Sequence, residues 1–193
     1  MVMNINAKFW SVALTTLVAT TGLWGFSHSR AGGVQFADGT IHFVQVPRLV
    51  KASTTVSSAR AWGATYYFTI DLPAGAGEPL HKLVLHQKEG ADEIAFRLDE
   101  SEAFQGDRSN PGSPFQLAAT TSDGDGTLSV IFDPPIAPGQ RVTLSLRPVH
   151  NPVFSGVYLI GVTAFPAGEK AQGYSMGYGR LHFYDDRRFF PFW

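Results

Sequence analysis

Only one short stretch of this 193-residue chain has the spacing of a catalytic motif: GYSMG, Gly173 to Gly177. It fits G-x-S-x-G, which in one large class of hydrolases sets a nucleophilic serine on a sharp turn between a buried strand and a helix. The turn aims the serine oxygen at the amides of the helix N-terminus, which stabilise the oxyanion. Neither flank supplies those parts. YGRLHFYDD follows Gly177 and keeps a strand-like alternation, with His182 ahead of Asp185 and Asp186 rather than after an acid. A serine hydrolase acting through Ser175 is therefore the weakest of three functional readings.

An extended strand explains more of the segment. With alternate residues on opposite sides, Tyr174 to Tyr184 places Tyr174, Met176, Tyr178, Arg180, His182 and Tyr184 on one face and small residues with Leu181 and Phe183 on the other. Three glycines on one side imply a bulge or a bulky ring in close approach, and Tyr158 and Phe165 on the preceding strand are candidates. A face of Tyr, Met, Arg and His has the make-up enriched at recognition surfaces. These six residues, with Arg147, form the candidate binding set.

The other candidate chemistry is weaker. No two of the six histidines have i, i+2 spacing, so no strand presents a ready metal pair. Met176 and His182 would share a strand face about 20 Å apart, too far to hold one ion. A copper-type metal or small-ligand carrier stands as the second reading, and no cofactor, metal ligand or catalytic residue is assigned. SDGDGT, Ser122 to Thr127, has carboxylates but not the completing glutamate of a calcium loop, and Asp-Gly favours a tight hairpin. The acids Asp92, Glu93, Asp99, Glu100 and Glu102 read as a solvated sheet edge, where charge opposes strand-to-strand association.

The elements that position these residues read as all-β. Period-two runs begin at Thr40, Thr65, His81, Ile94, Thr127, Arg141, Gly156 and Gly173, separated by turn segments such as LPAGAGEP, SNPGSP, SDGDG, DPPIAPG and FPAGE. Ala91 to Phe104 is the best helical candidate, yet Ile94, Phe96 and Leu98 alternate. In RVTLSLR, Val142, Leu144 and Leu146 point inward and Arg141, Thr143, Ser145 and Arg147 outward. The expected fold is an antiparallel β-sandwich, immunoglobulin-like or a related Greek key, with a closed barrel as the alternative.

Residues 1–31 read as a signal peptide: MVMNINAK, an uncharged apolar run from Phe9 to Phe26, and Ser29-Arg30-Ala31 before a cut at Gly32. A retained membrane anchor is the alternative. Domain boundaries follow at 32–185 for the sandwich and 186–193 for an aromatic tail. The expected location is export to periplasm, thylakoid lumen or outside the cell. Cleavage removes Lys8 and Arg30, two of 15 basic residues, leaving 13 against 16 acids, so the net charge falls from −1 to −3. That excess of acid argues against nucleic acid as a ligand. The absence of cysteine excludes disulfides and thiolate sites, so packing alone must stabilise the domain.

ARAWGATYYFTIDLPAGAGEPL, VIFDPPIAPGQRVTLSLRPVHNP and GVYLIGVTAFPAGEKAQGYSMGYGRLHFYD resemble a family of exported cyanobacterial proteins known as a domain of unknown function. The similarity runs from about Pro47 to Asp185, with LRPVxNP and GVTAFPAGE as its distinctive strings. The resemblance implies an exported domain of a photosynthetic bacterium and carries no site residues across. DDRRFFPFW lies at its boundary and beyond. Its aromatics and two arginines suit either a membrane interface or a plug folded back over the open end of the sandwich. Together these features favour a non-enzymatic envelope module that binds a protein or cell-envelope component.

Overall fold

Alternation of apolar and polar side chains decides the architecture. The computed structural model describes residues 34–35, 39–123 and 125–185, and among them there is no helix. The expected signal peptide and the tail from Asp186 lie outside the described residues. Twelve strands follow in order: β1 Val34–Gln35, β2 Ile41–His42, β3 Arg48–Thr54, β4 Tyr66–Asp71, β5 Leu80–Glu89, β6 Phe96–Asp107, β7 Asn110–Phe115, β8 Leu117–Ser122, β9 Thr127–Ile136, β10 Arg141–Pro148, β11 Gly156–Pro166 and β12 Tyr174–Phe183.

Two five-stranded antiparallel sheets form, one ordered β3-β4-β10-β6-β7 and the other β12-β11-β5-β9-β8. Consecutive β4 and β5 lie in different sheets, and β4 pairs with β10 while β5 pairs with β11. Such pairing of sequence-distant strands is Greek-key connectivity, as in immunoglobulin-like sandwiches. The core draws on both sheets: Phe68, Ile70, Leu144 and Leu146 from the first, Leu83, Val130, Phe132 and Val162 from the second, all fully buried. Each such side chain contributes about 1.5–3 kcal/mol relative to exposure, which a cysteine-free domain needs.

Several expectations are corrected here. The run from Thr40 yields only the two residues of β2, which pair with β1 in a separate two-stranded sheet, while Ile41 also bonds to the loop at Lys170 and Gln172 and Val44 N donates to Ala76 O. The strand read from Ile94 is borne out as β6, which starts at Phe96 and extends to Asp107, with Ala103 and Phe104 paired to both β10 and β7. SNPGSP and DPPIAPG, taken as turns, contribute to β7 and β9. Proline is tolerated in β7 because β7 is an edge strand. The inward and outward division of β10 holds, but outward Thr143 is fully buried. Thr143 Oγ1 lies 3.0 Å from Thr69 Oγ1 and 2.8 Å from the carbonyl of Gly106, to which it donates.

One edge of the sandwich is closed where β12 packs beside β3. Gly179 makes this approach: a Cβ there would lie 2.7 Å from Ala52 Cβ and 2.9 Å from Phe68 Cε1. Phe165 covers Gly173 as the sequence suggests, whereas Tyr158 stands over Gly90 on the loop before β6 rather than over the glycines of β12.

Candidate functional site

β12 is a strand, but a bent one. Tyr178 pairs with Gly161 and Ser175 with Thr163, so Met176 and Gly177 together oppose the single residue Val162. The extra residue makes a β-bulge, and Gly177 permits it by adopting a φ of +91°. The bulge reverses the side-chain alternation. Tyr178, Arg180 and His182 pair with outward-facing Gly161, Leu159 and Val157, and Ser175 lies on that same side opposite Thr163. Met176 packs against the core, and Tyr174 stands opposite buried Ala164 on the inner side, still 45% exposed at the strand start.

The single face predicted for Tyr174, Met176, Tyr178, Arg180, His182 and Tyr184 is therefore divided. Tyr178, Arg180 and His182 remain together, with Tyr184 just beyond the strand, its ring 6.5 Å from that of His182 at an interplanar angle of 15°. Met176 and His182 point to opposite sides, which removes the shared face from the copper reading. Among the described residues no three His, Cys, Asp or Glu side chains are grouped to hold a metal ion. Ser175 sits on strand with strand after it, so the strand-turn-helix geometry of a nucleophile elbow is absent from GYSMG.

Arg147 is on the other sheet. Its Nη1 donates to Glu100 Oε2 at 2.9 Å, while Arg97 Nη1 donates to Glu100 Oε1 at 3.1 Å. These two hydrogen bonds, Arg97 first, hold the Glu100 carboxyl below the usual carboxylate range. The acids of β6 behave as an edge in one respect: only Ala103 to Asp107 pairs with β7. The outer face of the same sheet carries a cleft of 390 Å³ lined by Lys51, Tyr67, Thr69, Arg108 and Arg141 among others. The Arg108 guanidinium lies 5.2 Å from the Tyr67 ring centre.

A stronger surface lies at the end of the sandwich where three segments meet: the loop between β3 and β4, the loop between β10 and β11, and the residues after β12. Backbone bonds join them, with Ala59 N donating to Tyr184 O at 2.8 Å, Arg60 N to Pro152 O at 2.9 Å and Asn151 N to Ala61 O at 2.8 Å. Arg60 is held in the left-handed region at φ +62°, a conformation that persists only where the surroundings over-determine it.

Asn151 sits at the centre, fully buried. Its Nδ2 donates to Val56 O and Ser58 O, both at 2.9 Å, and its Oδ1 accepts from the Tyr66 hydroxyl at 2.9 Å. Nearby, the Tyr158 hydroxyl donates to the Asp92 carboxylate, whose other oxygen accepts from Val153 N at 2.8 Å. Burial first, then the bond to Asp92 and its charge, push the Tyr158 hydroxyl up to about 12. Burial chiefly, with Tyr158 and Asp92 adding to it, raises the Tyr66 hydroxyl further.

On this rigid base stand Trp62, Val153, Phe154, Val157 and Tyr184. They are five of the nine exposed large hydrophobics among the described residues, so exposed apolar surface is concentrated at one end. Trp62 is 68% exposed, Tyr184 61% and Phe154 55%. The Trp62 ring stands 5.7 Å from His150, edge to face. Sequence reasoning named Tyr184 here but missed the others. The available signal was LRPVHNP, whose asparagine ties the loops together.

Two antiparallel sheets packed about one core, with a hydrogen-bonded loop end, define a β-sandwich domain. The chain belongs to the family described as Protein of unknown function (DUF2808), which matches residues 40–183. No curated protein matches it.

Among solved structures it is similar to the N-terminal domain of the Streptococcus gordonii adhesin Sgo0707, with TM-score 0.50 and 14% identity over 75% of this chain and 34% of that one. The structure titled manganese lipoxygenase of Gaeumannomyces graminis with partial zonadhesin of Komagataella pastoris matches at TM-score 0.44 and 15% identity, over 68% of this chain and 46% of that one. The collagen-binding domain of a Staphylococcus aureus adhesin matches at TM-score 0.35 and 8% identity, over 63% and 87%. The chain spans less than half the length of the first two. At these identities the likeness is one of fold.

Proposed function

We propose that this protein is an exported, non-enzymatic β-sandwich of the cell envelope that binds a protein partner through its aromatic end and the adjoining outward row of β12, Tyr178, Arg180 and His182. The observation that carries the reading is the cluster of Trp62, Phe154 and Tyr184 on loops fixed by buried Asn151. Rigid, exposed aromatics bind with little ordering cost and dominate interface energetics. The fold likeness to a streptococcal adhesin domain supports a binding role, and the GYSMG geometry offers no competing nucleophile.

The test compares capture of envelope proteins by the wild-type chain and by a Trp62→Ala/Phe154→Ala variant of unchanged melting temperature. The expected result is one partner bound by the wild type and weakened by the variant about thirtyfold, the effect of losing about 2 kcal/mol at a central anchor. Undiminished capture by the variant overturns the surface assignment. A wild-type protein that comes down alone overturns the binding reading.

A second reading, small-ligand carriage, is favoured by the Tyr67 cleft. Arg108 already covers the Tyr67 ring, which makes it the lesser one.

A further inference from the structure

The outer face of the first sheet gathers positive charge. β3 is bulged there: Leu49 pairs with Ile70 and Lys51 with Thr69, which makes Val50 the extra residue. Lys51 and Ser53 lie directly opposite Thr69 and Tyr67 and so share their outward side. Arg141 joins them from the start of β10, opposite Asp71. Over this floor the turn between β6 and β7 brings the Arg108 guanidinium to the Tyr67 ring. The cleft between turn and sheet measures 390 Å³, a size that suits a small ligand.

The charge of this cleft is not neutralised from within. Arg48 and Arg141 share one carboxylate, Asp71, at 3.7 and 3.4 Å. Asp107 is engaged by its own turn, where it accepts from Ser109 N, Ser109 Oγ and Asn110 N. Among the described residues Lys51 and Arg108 have no ion-pair partner. Four cations, Arg48, Lys51, Arg108 and Arg141, thus stand with two carboxylates in a chain whose net charge is −1. A concave site with such an excess draws in an anion.

The floor adds a second requirement. The Thr143 hydroxyl donates to Gly106 O at 2.8 Å, so the proton between Thr69 Oγ1 and Thr143 Oγ1, 3.0 Å apart, comes from Thr69. Thr69 Oγ1 has then used its one proton and offers an entering molecule only lone pairs. Val50, 52% exposed, and Tyr67 supply an apolar wall. The matching occupant carries an anionic group, a hydroxyl that donates, and a non-polar face. An inorganic anion lacks the non-polar face, and a neutral sugar lacks the charge. An acidic sugar has all three on one ring.

We propose that this cleft binds an acidic sugar unit, with Lys51 and Arg108 on its carboxylate or sulfate and Thr69 Oγ1 accepting from a ring hydroxyl. The guanidinium fork of Arg108 fits either planar-edged anion in bidentate fashion. The proposal rests on the small-ligand reading of this cleft, to which it gives a ligand class, and shares no residue with the aromatic end.

Isothermal titration of the full chain at low salt tests it, with a galacturonate trimer, the methyl ester of that trimer, a sulfated galactose trimer and inorganic sulfate as probes. The expected result is binding of an acidic trimer, with the methyl ester and inorganic sulfate at least about tenfold weaker, the effect of losing a hydrogen-bonded charge or the rest of the ring. A Lys51→Gln/Arg108→Gln variant of unchanged melting temperature is expected to lose about tenfold or more. Thr69→Val is expected to weaken the trimer several-fold and leave inorganic sulfate unchanged. Amide shifts at Lys51, Thr69 and Arg108 during titration of the wild type locate the sugar without any substitution. Preference for the sulfated trimer over the uronate supports the site and makes its anion a sulfate. Failure of both acidic trimers to bind overturns the proposal. Equal binding of the methyl ester overturns the acidic class and leaves the small-ligand reading standing. Inorganic sulfate that binds as well as the trimers means an adventitious ion only and overturns it. Trimer binding lost in the Trp62→Ala/Phe154→Ala variant overturns it in favour of the aromatic end.

Discussion

Asn151 carries more of the candidate site than any residue that would touch a ligand. One side-chain amide satisfies two carbonyls of the β3–β4 loop and receives the hydroxyl of Tyr66 from the core, with no access to water. Truncation to alanine orphans all three partners in a dry environment, and leaving a buried group unpaired costs more than the bond itself returns. Asn151→Ala is expected to destabilise the domain by about 2–4 kcal/mol, measured by urea denaturation, and to raise the protease sensitivity of the loop around Trp62. Unchanged stability would mean that the loops hold themselves. The neighbouring sequence LRPVHNP marked the position as distinctive, but its three partners lie 85 to 95 residues away in sequence, so no local pattern shows what the amide does.

At the scale of elements, β12 shows how one residue changes a surface. Its strand character was legible, since GYSMGYGRLHFY alternates and lacks any helical face. Its bulge was not, because three glycines on one side are equally compatible with a flat strand under bulky neighbours. Two of them do different work. Gly177 supplies positive φ with open space around it, while Gly179 supplies room beside Ala52 and Phe68. Gly177→Ala is expected to cost about 1–2 kcal/mol from left-handed backbone strain alone, with no steric clash. Gly179→Val forces overpacking against two core neighbours and is expected to cost about 1–3 kcal/mol or more and to loosen the β3–β12 edge. Thermal denaturation together with amide exchange at Ala52 separates the two, and equal effects on Ala52 would contradict the distinct roles.

Across the whole molecule, buried tyrosines link the aromatic end to alkaline stability. Tyr158, ordinarily near 10, is pushed up to about 12 in the folded protein by burial and by Asp92, so folding favours the neutral hydroxyl. The sign follows from linkage. The contribution is complete below pH about 10, where the hydroxyl is protonated in both states, and it is lost as pH climbs through about 12, because the unfolded chain ionises first. Melting temperature is therefore expected to fall above pH 10, and Tyr158→Phe is expected to be less stable at pH 8 but to show a shallower alkaline decline. Parallel declines in the two proteins would show that Tyr158 is not the group responsible.

The sequence by itself determined the fold class and most of the strand inventory, because period-two alternation and Pro- and Gly-rich turns are local properties that each segment carries alone. It also located Tyr178, Arg180, His182 and Tyr184 as a coherent row. It did not reveal β3 or β8, whose RLVKAST and LAATTS lack a clean apolar alternation and become strands by pairing with β4 and β9. Only the tertiary structure decided that Met176 turns inward, that Arg147 faces a different surface, and that Trp62, Phe154 and Tyr184 stand on loops bonded together at one end of the sandwich. Each of these depends on register and on contacts between residues distant in sequence, and the free energy of such contacts is set by the whole packed chain.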